Sequence, residues 1–228
     1  MIEDALMQIA SDSAVARAVP RAGQLAESLF EARGSGDNSD RETVLINLYL
    51  CLHAAGAAYQ QEESDTLAAW SGLDCLPGGM LPLMLARHLI GPDSVTADLG
   101  AGNGLQGLLL QRLCPHHKTR LLEISGRLIE MGRLYQQALN MDPQQVAWEH
   151  ADVAQANFAG VELIYLYRPT RPGDNGNAFY RAVAEKLAAH DRPLTIVSMA
   201  DCLAPFLDDR FENVYANEFL RIFRLPAA

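Results

Sequence analysis

The chain has 228 residues, 49% of them apolar, with 18 basic against 28 acidic side chains and a net charge of −10. That is enough for one sizeable core and a smaller helical appendage. An acidic balance of this size argues against nucleic acid or an anionic membrane surface as partner, and no apolar run reaches the roughly 20 residues of a bilayer span.

Ile2 to Val19 is Ala-rich and predicts a helix ending before Pro20, and Arg21 to Ala32, with Leu25, Leu29 and Phe30, predicts another. Arg33 to Asp40, "RGSGDNSD", reads as an exposed connection, with Ser39 or Asp40 opening the next helix. Thr43 to Tyr59 predicts a helix too apolar all round for a surface one. It suits a core, or an interface between two copies. A turn at Pro77-Gly78-Gly79 and a short helix to Leu89 follow. The start lacks the basic-then-apolar pattern of a secretion signal. Cys51, Cys75, Cys114 and Cys202 form no C-x-x-C pair, so reduced thiols in a cytoplasmic protein are expected.

From Gly91 short β-like runs alternate with helical ones. Strands are predicted at Ser94–Leu99, Arg120–Ile124, Val146–Glu149, Glu162–Tyr167 and Leu194–Met199. Helices between them are Leu105–Leu113, Gly126–Leu139 and Asn177–Ala189. This alternation predicts an α/β fold, a parallel sheet covered on both faces. Glu212–Tyr215 and Phe219–Leu225 leave no room for a helix between them, so they must pair antiparallel.

The densest signal is "SVTADLGAGNGLQGLLLQRL", Ser94 to Leu113, a strand, a glycine-rich turn and a helix. Glycines let a backbone turn sharply and approach a ligand, while a helix N-terminus offers unpaired N–H groups. Gly102, Gly104 and Gly107 match the dinucleotide spacing G-x-G-x-x-G, with Glu123 21 residues after Gly102. The competing register is Asp98-x-Gly100-x-Gly102-x-Gly104. An acid closing the strand repels a pyrophosphate and suits a ligand that carries an ammonium and a sulfonium.

In that register "ADLGAGNG" resembles motif I of the class I S-adenosylmethionine (SAM)-dependent methyltransferases. The resemblance covers roughly Ser94 to Leu225. It implies a doubly wound, mostly parallel seven-stranded sheet with an antiparallel last strand: residues 91–228 form the SAM-binding domain, and 1–90 a helical segment or lid. It also implies that Asp98, Gly100, Ala101, Gly102, Asn103 and Gly104 cradle the methionine part of SAM. Glu123 and Ile124 would meet the ribose, Asp152 and Val153 the adenine, and Tyr167 would line the site.

The acceptor is expected at the end of the fourth strand, "IYLYRPTRPGDNGNAFY". Amino-methylating relatives carry Asn/Asp-Pro-Pro-Tyr/Phe there. Here Tyr167 and Arg168 precede Pro169, which argues against nucleobase or amide N-methylation. No acid closes that strand, so a metal-independent reaction is expected. Tyr165 and Tyr167 share one strand face and either suits a wall of the acceptor pocket. Tyr167 and Arg168 are the catalytic candidates, and Arg168 with Arg171 suits a carboxylate or phosphate. Asp174, Asn175 and Asn177 suit a helix cap. Trp70, Leu76, Pro77 and Met80 resemble the turn that covers the cofactor in seven-stranded protein lysine methyltransferases. His116-His117 is expected in solvent, and His150, near Asp152, is at most a base close to the adenine. A metabolite or protein side chain is the expected acceptor. The alternatives are a catalytically inactive SAM-binding scaffold and an NAD(P)-dependent oxidoreductase.

Overall fold

The computed structural model describes residues 2–35, 38–56 and 79–227. Trp70, Leu76 and Pro77 lie outside the described residues.

The N-terminal third supplies helices α1 (Ile2–Ser11), α2 (Ser13–Ala18), α3 (Pro20–Ser35), α4 (Asn38–His53) and α5 (Leu81–Ala86). The single helix expected over Ile2 to Val19 is two. Asp12 accepts from the Ala14 and Val15 N–H groups at 2.8 and 3.1 Å, so it caps α2 and interrupts α1. The connection expected at Arg33 instead continues α3 to Ser35. Its reason is an ion pair: Arg33 reaches Glu3 at 2.5 Å and Asp4 at 2.7 Å. α4 stops at His53 rather than Tyr59, and it is not buried all round, since Ile46 and Leu50 are exposed.

Glu3 also accepts from Arg41 at 2.5 Å, so one buried carboxylate joins α1, α3 and α4. The Arg41 hydrogen bond, opposed by burial and aided by Arg33, holds its pKa below the usual carboxylate value. A depressed carboxyl stabilises the fold above its unfolded pKa, and that contribution is lost as pH falls through the folded value. Glu3→Gln should therefore cost about 1–2 kcal/mol at pH 7. The difference from wild type should begin to shrink near the ordinary carboxylate pKa, about 4, and vanish only once pH falls beneath the lowered folded value, as denaturant titrations would show. A gap that persists in acid would place its origin in packing.

Seven strands follow: β1 (Val95–Leu99), β2 (Lys118–Glu123), β3 (Val146–His150), β4 (Leu163–Tyr167), β5 (Leu194–Met199), β6 (Glu212–Ala216) and β7 (Leu220–Leu225). Between them run α6 (Leu105–Leu113), α7 (Gly126–Ala138) and α8 (Asp174–Ala188). The sheet order is β3-β2-β1-β4-β5-β7-β6. β1 to β5 are parallel, and β7 lies antiparallel between β5 and β6. This is the doubly wound, mostly parallel sheet with an antiparallel last strand that the resemblance implies, with strand ends shifted by a residue or two. Asp174 lies in the first turn of α8, where its charge suits the helix dipole, but no side chain caps that helix.

Alternation along β4 divides the core. Tyr165 joins Leu6, Leu48, Leu52, Leu105 and Leu121 on one face, so the N-terminal helices complete that layer. Ile164 and Leu166 join Phe179, Val183 and Leu187 on the other. Each fully buried leucine contributes roughly 1.5–3 kcal/mol. The sheet order reverses between β1 and β4, the switch point beyond whose carboxyl ends open α/β sheets bind ligands.

Candidate cofactor site at the switch point

Gly100, Gly102 and Gly104 all have positive φ, +74°, +59° and +68°. Their surroundings differ. A Cβ on Gly100 would stand 2.8 Å from the Cβ of Pro169, in the loop after β4. A Cβ on Gly104 would overlap the Trp148 indole, and one on Gly107 would overlap Leu121. At Gly102 nothing lies within 4 Å. Three of the four glycines thus admit the protein's own side chains, and Gly102 alone leaves open space.

Glu123 closes β2 and is buried. Its carboxylate accepts from the Gly102 N–H at 2.8 Å and from Ile124 and Ser125 at 2.9 Å each. It therefore straps the glycine loop to the start of α7. Ile124 itself is half-buried, and its carbonyl accepts from His150 Nε2 at 2.7 Å. Asp152, after β3, is half-buried and caps the short helical turn Val153–Gln155 through the Ala154 N–H at 2.8 Å. Val153 is buried against the opposite core, and Ala101 is half-buried beside Gly102.

Two motif residues face elsewhere than the sequence suggests. The Asn103 amide donates to the carbonyls of Leu52, His53 and Ala55 at 2.8, 3.1 and 3.0 Å. Tyr135 donates to Leu52 as well, at 2.8 Å. The last carbonyls of α4 need such partners, so the Asn103 side chain ends that helix rather than lining a ligand cradle. Asp98 lies beneath the loop, buried, facing the Gly107 N–H in the first turn of α6. Burial, outweighing that hydrogen bond and aided by repulsion from Glu123, pushes its pKa up to about 7. Its carboxylate does not stand at the loop mouth.

At the acceptor end, Tyr165 is core, 3% exposed, while Tyr167 is half-buried at the end of β4. Arg168 follows in a left-handed backbone, φ +29°. A non-glycine residue held there is strained, and such strain concentrates at functional sites. Arg168 is half-buried beside Tyr180 and Cys202 and forms no ion pair among the described residues. Arg171 is exposed, and Met80 is half-buried against the core. His116 corrects its expectation. It is buried, with Nε2 at 2.9 Å from both Thr96 and Thr119 hydroxyls, because those inward threonines need partners. His117 is exposed.

Sequence reasoning missed Trp148. Its indole fills the space over Gly104 and Gly132, and its N–H donates to Gln136 at 2.8 Å. The signal was a lone glycine, Gly132, inside a helical run.

The ends of β1, β2 and β3 thus place open space at Gly102 beside the buried Glu123, with Asp152 following β3. Carboxylates beside an open turn suit a ligand that offers hydroxyl or amino donors.

No protein-family model and no curated protein sequence matches the chain. Solved structures resemble it. TrmN from Thermus thermophilus aligns at a TM-score of 0.52 and 15% identity, over 72% of this chain and 53% of that one. An rRNA methylase from Streptococcus thermophilus aligns at 0.49 and 12% identity, over 65% and 95%. Magnesium protoporphyrin IX methyltransferase from Synechocystis, solved with bound SAM, aligns at 0.44 and 16% identity, over 74% and 79%. At such identities the likeness is one of fold.

Proposed function

From a chain with the fold of the class I SAM-dependent methyltransferases, we propose an enzyme that binds SAM at Gly102 and transfers its methyl group without a metal. The observation that carries this reading is the open, positive-φ Gly102 at the switch point, with Glu123 closing the next strand and Asp152 following the one after. When bound, SAM supplies an activated methyl on a sulfonium. Gly102, with Gly100 and Ala101 beside it, would support its methionine part through backbone carbonyls, since the three N–H groups already donate to Leu122 and Glu123. Glu123 and Ile124 would meet the ribose, and Asp152 with Val153 the adenine. Asp98 and Asn103 act from behind the loop, holding α6 and α4 in place.

The protein's remaining task is alignment and exclusion of water. Tyr167 would wall the acceptor, and Arg168 would hold it. A half-buried guanidinium that forms no ion pair among the described residues favours an acceptor that brings its own carboxylate or phosphate. The names of the similar structures span rRNA and a porphyrin, so they do not choose the acceptor class. The chain's acidity favours a small metabolite or a protein side chain.

Calorimetric titration with SAM, S-adenosylhomocysteine and NADPH tests the cofactor. Micromolar binding of the first two and none of NADPH is expected. NADPH binding alone would make this a hydride-transferring enzyme. SAM binding without transfer of labelled methyl to any acceptor pool would leave a scaffold. In the labelled-methyl assay, Arg168→Gln should lower transfer to anionic acceptors about 10-fold or more with SAM affinity unchanged. Equal loss with neutral acceptors would remove Arg168 from acceptor recognition.

A further inference from the structure

Beneath the glycine loop, on the face of the sheet that carries the N-terminal helices, lies a cavity of about 10 Å³, with Leu83, Thr96, Asp98, Gln106 and Tyr165 among its walls. Asp98 Oδ2, Gln106 Oε1 and Tyr165 Oη are buried there and find no hydrogen-bond partner among the described residues. Asp98, Gln106 and Tyr165 are 5%, 6% and 3% exposed. A buried polar atom left unpaired is costly, so three around one cavity call for a shared partner.

The donor and acceptor count identifies it. Gln106 Nε2 donates to the Gly79 carbonyl at 2.9 Å and to Tyr49 Oη, which fixes the amide and leaves Oε1 as an acceptor. Asp98 Oδ2 is a second acceptor once the carboxyl is ionised, and Tyr165 Oη carries a proton to donate. The three atoms therefore need two donors and one acceptor. The threonine hydroxyls in the walls make no further demand: Thr119 donates to Gln111 at 2.7 Å and Thr96 to Thr119 at 3.2 Å.

We propose that this cavity binds one ordered water, which accepts from Tyr165 Oη and donates to Asp98 Oδ2 and Gln106 Oε1. A halide offers no donors, and the volume is about the least that holds one water. The water closes a chain of hydrogen bonds from β4 and β1, through α6, to Tyr49 of α4 and to Gly79, whose N–H donates to Tyr49 at 3.0 Å. Tyr165, Asp98 and Gln106 become positioning residues: they hold the N-terminal helices against the base of the glycine loop, whatever the loop binds.

A crystal structure of the whole chain that resolves single waters should show one peak within about 2.6–3.2 Å of all three atoms. A dry cavity, or a bound cation in its place, overturns the assignment. Tyr165→Phe deletes only the hydroxyl. Hydrogen exchange at Gly79 and the last turn of α4 should then rise about tenfold or more, with β4 and β5 amides unchanged. No change, or a uniform rise throughout the chain, would overturn the coupling. Should the variant fail to fold, the wild-type crystal still decides the water.

Discussion

Gly132→Ala is expected to destabilise the protein by about 2 kcal/mol, although alanine is the better helix former. A Cβ there would overlap the Trp148 ring and stand 2.6 Å from the Asn103 carbonyl. The indole is tethered through Gln136, and Asn103 is tethered to the end of α4, so neither can give cheaply. Overpacking of this kind costs about 1–3 kcal/mol, while helix propensity returns about 1 kcal/mol. A clash against backbone puts the cost at the upper end. In thermal melts the loss corresponds to a fall in Tm of about 4–8 °C. Trp148→Phe shortens the ring and should make the alanine better tolerated, so the double variant should lose less than the two singles combined. Strict additivity would show that Trp148 does not set the limit at Gly132.

The second large effect is expected at Glu123. Its two oxygens take three N–H groups from two loops in a buried setting. Glu123→Gln removes the charge and sets an amide nitrogen against one of those donors. Hydrogen bonds to charged groups contribute about 1.5–3 kcal/mol each, so stability should fall by about 2–4 kcal/mol. SAM affinity should fall about 100-fold or more, since 1.4 kcal/mol corresponds to a factor of ten and the variant loosens the Gly102 cradle together with the ribose contact. Denaturant unfolding and calorimetry read the two effects separately. Wild-type affinity on a stable fold would place the cofactor away from this strap.

Much was legible along the chain because it is written locally. Apolar β-branched runs, turn residues and helical stretches announce the strands and helices from Val95 to Leu225, and the crowded Asp98–Gly104 turn announces the loop at their switch point. The close spacing of β6 and β7 made their antiparallel pairing unavoidable. The α1–α2 break was also local, a single Asp12 cap, yet it lay hidden in an alanine-rich run.

What each motif side chain does was decided in three dimensions. Gly100, Gly104 and Gly107 look alike in sequence to Gly102, but Pro169, Trp148 and Leu121 arrive beside them from distant positions. Asn103 turns to the end of α4 because helix-terminal carbonyls about 50 residues away need its amide. Asp98 and His116 sit inside, where other strands and helices set their hydrogen bonds. Sequence by itself determined the order of elements and the place of the loop, since propensity and spacing act over a few residues. The tertiary structure alone decided which polar groups face the switch point and which hold the scaffold, since a buried donor or acceptor needs a partner and only the fold brings one.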